Sequence, residues 1–205
     1  MSTNASAPLS DSRVSFALLA AGRGRRYGPG KLTADLCGRP VWRWAVDSAC
    51  EAGFADIRVV TNDPHIAADC ARRGWEMVAN PDAETGIASS LRLAAWGASP
   101  DGTAIIALAD MPFIEPAHLR HLATTGTTAF TRYPEGHAGV PAAFTAEDRQ
   151  RLFALTGDRG AASLEWPDAK FVAPPSAASL LDIDTPATLV RAREIAIRRS
   201  QAACR

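Results

Sequence analysis

A glycine-rich segment near the start of the chain combines turn-forming and basic residues. It reads Leu19-Ala20-Ala21-Gly22-Arg23-Gly24-Arg25-Arg26-Tyr27-Gly28-Pro29-Gly30-Lys31. Glycines let the backbone turn tightly and approach a ligand closely, and successive exposed N–H groups can bind an anion. Its basic side chains add positive charge in the same space, at Arg23, Arg25, Arg26 and Lys31. These are the requirements of a triphosphate site; the alternative is a glycine-rich loop with solvated arginines.

The spacing of the glycines separates this segment from two common phosphate-binding motifs. A P-loop needs a glycine five residues before its Gly-Lys pair and a Ser or Thr after it. Here Arg25 stands five residues before Gly30, and Leu32 follows Lys31. The dinucleotide fingerprint GxGxxG also fails by one residue, because three residues separate Gly24 from Gly28. Neither of these two classes of nucleotide site is predicted.

Aspartates follow two other predicted strands. Asp110 ends a buried run at 103–109 and either binds Mg²⁺, which takes few protein carboxylates, or caps the helix that follows. Asp182 and Asp184 lie two residues apart on a strand predicted over 179–184, so they share a face. Both could face a metal ion, or Asp184 could cap the last helix while Asp182 reaches inward.

Short apolar runs alternate with amphipathic segments along the chain. The runs predict strands at 14–20, 57–61, 75–79, 103–109, 128–133, 140–144 and 179–184. The helical periodicity predicts helices at 41–52, 64–73, 86–97, 115–124, 145–155, 160–165 and 186–200. This order is typical of an α/β fold, a Rossmann-like, doubly wound, mostly parallel sheet in three α/β/α layers. Ligands of such sheets bind at the carboxyl ends of the strands, which here points to residue 20, residue 110 and residues 182–184.

Composition indicates the partners and the compartment. Lys plus Arg and Asp plus Glu both number 22, which argues against a nucleic-acid partner, and no apolar run is long enough to span a membrane. Cysteines lacking CxxC spacing predict reduced thiols in a cytoplasmic protein: Cys37, Cys50, Cys70 and Cys204. His118 and His121 are interpreted as surface residues. We expect a disordered leader at 1–12, one domain at 13–200 and a tail at 201–205.

The glycine-rich segment resembles the signature LAAGxSxRMGxxK of sugar-phosphate, methylerythritol and molybdopterin nucleotidyltransferases. Gly24 and Tyr27 depart from the pattern, which usually has serine and methionine there. Asp110-Met111-Pro112 and Asp182-Ile183-Asp184-Thr185-Pro186 resemble two later motifs of that family. The resemblance implies that the nucleotide contacts the first loop, at Leu19, Ala20, Ala21, Gly22, Arg23 and Gly24. It also implies catalytic roles for Arg26, Lys31 and Asp110, with Mg²⁺ held by Asp110, Asp182 or Asp184.

Three later stretches extend the resemblance. Taken alone, Ser89 and Ser90 in Gly86-Ile87-Ala88-Ser89-Ser90-Leu91 are ordinary helix-start residues. The segment is similar to a GxxxSL segment that lies near the nucleobase in the family, which implies nucleotide contacts at Ser89 and, in particular, at Ser90. Gly139 and Pro141 fall in a GxP stretch beside the acceptor. The segment Gly157-Asp158-Arg159-Gly160-Ala161 resembles the GDxGA loop of the molybdopterin branch, which implies acceptor contacts at Asp158, Arg159 and Gly160.

Together the motifs resemble the molybdenum cofactor cytidylyltransferases, a branch of the MobA-like NTP transferases. The implied reaction transfers CMP from CTP to molybdopterin cofactor and releases pyrophosphate, because the LAAG form favours CTP over the GTP of the LAGG branch. Transfer of GMP, or transfer to another phosphorylated acceptor, is the alternative within the class. A non-catalytic protein that binds the cofactor and serves a molybdenum hydroxylase apoenzyme is the alternative outside it.

Overall fold

The computed structural model describes residues 13–22, 24 and 26–203. Its strands are β1 (Val14–Leu19), β2 (Asp35–Leu36), β3 (Arg39–Pro40), β4 (Asp56–Val60), β5 (Glu76–Val78), β6 (Thr103–Leu108), β7 (Ala129–Arg132), β8 (Ala138–Phe144) and β9 (Lys170–Val172). Its helices are α1 (Val41–Ala52), α2 (Pro64–Arg73), α3 (Ile87–Gly97), α4 (Pro116–Ala123) and α5 (Pro186–Ala203). The expected leader lies outside the described residues.

Seven strands form one sheet in the order β5-β4-β1-β6-β8-β7-β9. Strand β8 pairs antiparallel with both β6 and β7, and the other pairs are parallel. Strands β2 and β3 form a separate antiparallel hairpin. The prediction of a doubly wound, mostly parallel α/β sheet is therefore confirmed. The carboxyl ends of β1, β4, β5 and β6 meet at one edge, where such sheets bind ligands.

Alternation along β1 divides the core into two layers. Phe16 and Leu18 pack on one face of the sheet with α1, α2 and α4, while Ala17 and Leu19 pack on the other with α3. A third cluster joins α5 to the β2–β3 hairpin and to the turn after β6, through Ile183, Leu189, Leu36 and Phe113. This smaller cluster fixes the segment before α5 against the end of β6.

Several predicted elements differ in the structure. The segment 179–184 is not a strand: 3-10 turns cover Ala177–Leu180, and the chain then runs irregularly to α5. The helices predicted at 145–155 and 160–165 are 3-10 turns at Asp148–Ala154 and Ala161–Ser163. The strand β9 and the β2–β3 hairpin were not predicted, and α5 continues into the expected tail. In the described part of the chain, no helix combines the length and apolarity needed to cross a membrane.

The prediction for His118 was wrong, because its side chain is buried. His118 is 2% exposed and its Nε2 lies 2.8 Å from Thr131 Oγ1. Thr131 Oγ1 donates to the carbonyl of Pro141, so this hydroxyl accepts its bond from Nε2–H of a neutral imidazole. Burial lowers the pKa of His118 from 6.5 to about 4, and nearby His121 adds to the effect. The histidine therefore joins α4 to β7 and β8 in its neutral form.

The buried imidazole predicts a specific acid sensitivity. Between its two pKa values the unfolded chain binds a proton that the folded chain does not, so stability falls as pH falls. We expect His118 to lower the unfolding free energy by about 2 kcal/mol when the pH falls from about 7 to about 5. Urea unfolding of wild type and His118→Gln at both pH values measures this contribution as the difference between their pH slopes. Equal slopes would contradict the buried neutral histidine.

Candidate active site

The glycine-rich loop turns back on itself directly after β1. Leu19 and Ala20 are buried, and the backbone N–H of Ala20 donates to Val60 across the sheet. Gly24 has a φ of 55°, and its carbonyl accepts from the N–H groups of Tyr27 and Gly28 at 3.0 and 2.8 Å. This positive φ favours glycine at position 24. Arg23 and Arg25 lie outside the described residues.

Lys31 joins the loop to both aspartate segments. Its Nζ lies 2.6 Å from Asp110 Oδ2 and 3.3 Å from Asp184 Oδ1. The residue is only 8% exposed, and a buried ammonium requires compensating charge, which these two carboxylates supply. Arg26 Nη1 lies 3.3 Å from Asp184 Oδ2, but its side chain is 78% exposed, so this second ion pair contributes little to stability.

A backbone hydrogen bond brings the two aspartate segments together. The N–H of Ile183 donates to the carbonyl of Asp110 at 2.9 Å, and Ile183 itself is fully buried. Thr185 caps α5, because its Oγ1 accepts from the N–H of Thr188 at 3.2 Å. The capping role considered for Asp184 therefore belongs to Thr185. The carboxylate of Asp184 instead faces Lys31 and Arg26.

The carboxylate of Asp110 is only partly satisfied. Oδ2 accepts from Lys31, but Oδ1 is buried and has no hydrogen-bond partner among the described residues. Asp110 therefore does not cap α4, and its free oxygen suits a cation, which needs an unpaired oxygen ligand. No group of three His, Cys, Asp or Glu side chains forms a metal-binding cluster within residues 13–22, 24 and 26–203. A cation at Asp110 would therefore depend on its substrate and on water for most of its ligands.

Asp182 adds a third carboxylate to this region. Partial desolvation raises its pKa, and the charges of Asp184 and Asp110 raise it further. The same crowding affects Tyr133, whose pKa is raised to about 12 by burial and by the charges of Asp182 and Asp110. The surplus of negative charge marks this as a place where a cation is favourable.

Two adjoining clefts open on either side of the glycine-rich loop. The first has a volume of about 280 Å³, and its walls include Gly22, Gly24, Lys31, Ser90, Asp110 and Asp158. The second has a volume of about 620 Å³, and its walls include Gly22, Gly30, Lys31, Asn62, Asn80 and Glu84. Lys31 therefore stands where the two clefts meet.

Asn80 is a site residue that sequence reasoning missed. It is 1% exposed, and its Nδ2 donates to Ser89 Oγ and Ser90 Oγ, both at 2.9 Å. Ser90 lines the first cleft, whereas Ser89 faces a separate depression near Trp96. Of the predicted pair, only Ser90 thus lines the cleft that also contains Lys31 and Asp110. In the sequence, Asn80 could have been recognised from the Asn80-Pro81 pair, which follows β5 at the carboxyl edge of the sheet.

The loop at 156–160 packs against the start of α3. The carbonyl of Gly157 accepts from the N–H of Ala88 at 3.1 Å. This contact brings Asp158 into the first cleft, next to residues predicted for the nucleotide. Arg159 is exposed, and its guanidinium donates to the carbonyl of Ser163 at 3.3 Å. Of the residues of this loop predicted for the acceptor, Asp158 therefore lines the cleft, whereas the Arg159 side chain bonds within its own loop.

A small apolar cavity adjoins the first cleft. Its volume is about 150 Å³, and it shares Leu19, Ile87 and Leu108 with that cleft. Gly139 and Gly160 line it from opposite sides, and Phe130 and Leu91 form part of its wall. Pro141, by contrast, is buried within β8. A Cβ at Gly139 would lie 2.4 Å from the ring of Tyr133, so a larger residue there would have to displace that ring.

Residues 16–166 match the family model of the MobA-like NTP transferase domain. The chain belongs to this family. The match covers β1 to β8 and the loop at 156–160, and it ends before Asp182 and Asp184. The matched region therefore includes the glycine-rich loop and Asp110. The inclusion of Asp182 and Asp184 in the site is supported by their position in the structure.

The MobA-like chain is also similar to individual proteins. The 3-deoxy-manno-octulosonate cytidylyltransferase of Vibrio vulnificus is 30% identical over 124 residues, which are 58% of this chain and 47% of that enzyme. The aligned segment thus spans about half the length of this curated relative. A nucleotidyl transferase from Methanothermobacter superposes with a TM-score of 0.78 at 24% identity, covering 91% of this chain and 99% of the other.

Two further solved structures share the fold. The protein Rv0371c of Mycobacterium tuberculosis, solved in complex with manganese, has a TM-score of 0.70 and 26% identity, over 89% of this chain and 98% of the other. The molybdopterin-guanine dinucleotide biosynthesis protein A of Archaeoglobus fulgidus has a TM-score of 0.70 and 24% identity, over 90% of this chain and 99% of the other. These likenesses establish the nucleotidyltransferase fold.

The contact between Gly86 and Gly157 predicts a strict requirement for glycine. Gly86 has φ 113° and ψ 178°, and a Cβ there would lie 2.3 Å from the carbonyl of Gly157. We expect Gly86→Ala to lower the unfolding free energy by at least about 2 kcal/mol, measured by urea unfolding. Gly160→Ala is the matched control, since a Cβ there meets no atom within 4 Å, and it should change stability by no more than about 0.5 kcal/mol. Equal losses would contradict the contact.

Proposed function

We propose that the protein is a nucleotidyltransferase that transfers CMP from CTP to molybdopterin cofactor, yielding molybdopterin cytosine dinucleotide and pyrophosphate. The observation that carries the proposal is the contact of Lys31 with Asp110 and Asp184, at the junction of two clefts under a glycine-rich loop. Anion-binding backbone, a buried cation and carboxylates with a free oxygen are what nucleotidyl transfer requires.

The nucleotide would lie along the glycine-rich loop. Gly22 and Gly24 line the first cleft, where their N–H groups could bind phosphate, and Ser90, which also lines it, can donate its hydroxyl proton to a base or ribose. Lys31 and Arg26 would bind the triphosphate. Transfer builds negative charge on the α-phosphoryl oxygens and on leaving pyrophosphate, so fixed cations there stabilise the transition state more than the ground state.

The residues present fit a divalent ion. Asp110 and Asp182 would hold Mg²⁺ together with water and phosphate oxygens. Asp110 has a buried oxygen without a partner among the described residues, and Asp182 lies close to two other carboxylates. When bound, the ion would neutralise charge on the reacting phosphoryl group. Asp184 would keep Lys31 and Arg26 oriented. The manganese complex of the mycobacterial relative supports a divalent ion in this fold.

The transfer itself needs no general base from the protein. The terminal phosphate of the acceptor attacks the α-phosphorus of CTP in line, and the bond to pyrophosphate breaks as the new P–O bond forms. A phosphate nucleophile is already ionised at neutral pH. The role of the side chains is therefore to position two anionic substrates and to offset their charge.

The apolar cavity favours a ring-bearing acceptor. Among the described residues its lining side chains are all apolar, and a volume of about 150 Å³ suits the face of one planar ring and not a whole acceptor. A polyhydroxylated sugar acid, the acceptor named for the Vibrio relative, would bury hydroxyls there at about 1–3 kcal/mol for each one left unpaired. Asp158 in the adjoining cleft could accept from the amino edge of a pterin.

The choice of cytosine rests on the resemblance of the LAAG segment to cytidylyltransferases, and GTP remains the alternative nucleotide. A cofactor-binding protein that serves a molybdenum hydroxylase without catalysis is the alternative of another class. The retained Lys31 and Asp110 favour catalysis, because binding alone does not need a free carboxylate oxygen beside a buried lysine.

Pyrophosphate release tests the proposal directly. With Mg²⁺ and CTP, we expect release with molybdopterin and none with 3-deoxy-manno-octulosonate or methylerythritol phosphate. Asp110→Asn should lower turnover at least about 100-fold. The substitution removes the charge that would hold the metal ion, and stabilisation of the reacting phosphoryl group by several kcal/mol depends on that ion. Asp168→Asn, an exposed aspartate far along the chain, is the control.

Each other outcome reassigns one part of the proposal. Release with a sugar acid and not with molybdopterin would replace the acceptor, and release with GTP alone would replace the nucleotide. Cofactor binding without release under any nucleotide would favour the non-catalytic alternative.

Gly160→Leu tests whether the acceptor enters the apolar cavity. The new side chain starts in open space at an ordinary backbone conformation, so it should fill the cavity without disturbing the fold. We expect the KM for the acceptor to rise at least about tenfold, with the KM for CTP unchanged. Thr156→Leu, an exposed position in the same loop, is the matched control. A rise in the KM for CTP instead would assign the cavity to the base.

A further inference from the structure

The free enzyme already has a cation where a divalent ion would bind. Lys31 Nζ contacts Asp110 Oδ2 and Asp184 Oδ1, and Arg26 Nη1 contacts Asp184 Oδ2. Of the four oxygens of these two carboxylates, three therefore have a cationic partner. The fourth, Asp110 Oδ1, is buried and unpaired in the described part of the chain. The protein's own side chains thus supply most of the positive charge that this acidic region needs.

Lys31 and Arg26 are held very differently. The Lys31 side chain is 9% exposed, whereas that of Arg26 is 78% exposed. Water weakens the pairing of Arg26, so an incoming ion displaces it easily. The ammonium of Lys31 has little access to water and cannot leave the carboxylates unless another anion receives it. Lys31 is therefore the group that decides whether a metal ion can enter.

We infer that Lys31 is an internal counter-ion that keeps the metal site closed in the free enzyme, so that the divalent ion enters with the nucleoside triphosphate and not before it. This inference rests on the proposed function, because it needs a triphosphate to draw Lys31 from Asp110. Lys31 then has two successive partners: carboxylates in the free enzyme and phosphate oxygens in the complex.

Electrostatics explains why the ion does not enter alone. An ion at Asp110 Oδ1 would lie beside an ammonium bound to the other oxygen of the same carboxylate. Their repulsion is poorly screened where little water is present. A small divalent ion also gives up its water reluctantly and needs several oxygen ligands, of which Asp110 offers one that is free.

The triphosphate removes both obstacles. Its oxygens can receive the Lys31 ammonium, and they add ligands for the ion. The long, flexible stem of lysine lets Nζ move from carboxylate to phosphate while the loop stays in place. When pyrophosphate leaves with the ion, Lys31 returns to Asp110 and restores the closed site. Loss of the metal is thereby coupled to release of the product.

Mn²⁺ binding without nucleotide tests the inference. Binding is measured by the loss of the free-ion signal in electron paramagnetic resonance, with wild type, Lys31→Met and Lys31→Met/Asp110→Asn. We expect Lys31→Met to bind Mn²⁺ at least about tenfold more tightly than wild type, because the competing charge is gone. The double variant should lose this gain, since the ion would bind at Asp110.

The outcomes are separable. Wild type that binds Mn²⁺ without nucleotide as tightly as Lys31→Met would overturn the inference, as would a gain that survives in the double variant. Thermal unfolding checks that Lys31→Met is folded, and Lys31→Gln replaces it if it is not. Equilibrium dialysis of labelled CTP with wild type and Mn²⁺ is the separate test of the proposed function: absence of CTP binding there would reject the nucleotide site, whatever the metal titration gives.

Discussion

A buried ammonium between two carboxylates is the interaction on which the site depends. Lys31 comes from the glycine-rich loop, Asp110 from the end of β6, and Asp184 from the segment before α5. Each of these charges would be unfavourable in that position without the others. The pairing therefore holds three distant parts of the chain together, at the point where the ligand clefts meet.

The sheet provides the geometry for this pairing. Parallel strands β1 and β6 are neighbours, so the loops at their carboxyl ends lie side by side. The segment from 181 to 185 comes from outside the sheet, and the buried Ile183 and the cluster around α5 fix it there. Its aspartates reach the site through this packing and not through strand pairing.

The region proposed for the acceptor is built on a different principle. The loop at 156–160 contains no regular strand or long helix, and glycine contacts with the start of α3 determine its position. The apolar cavity beside it arises where this loop, β8 and α3 leave a gap that no polar side chain enters. Charge thus dominates around Lys31, while shape and hydrophobicity dominate around the apolar cavity.

Local patterns sufficed for the elements that are long and periodic. The buried runs predicted β1, β4 and β6, and the Asp63-Pro64 pair predicted the start of α2, where Asp63 accepts from two backbone N–H groups. The same patterns failed for short elements such as β9 and the 3-10 turn at Ala161–Ser163, because three residues carry too little periodicity. They also failed for His118, whose burial depends on a partner in β7.

The sequence by itself determined the kind of fold and the chemistry of the loop, because glycine conformation, residue charge and strand alternation are local properties. The family resemblance added which aspartates to consider. Only the tertiary structure decided that Lys31 pairs with Asp110 and Asp184, that Asn80 holds Ser90, and that Asp158 lines the same cleft as Lys31. These facts join residues up to 153 positions apart, and such contacts depend on how the layers pack.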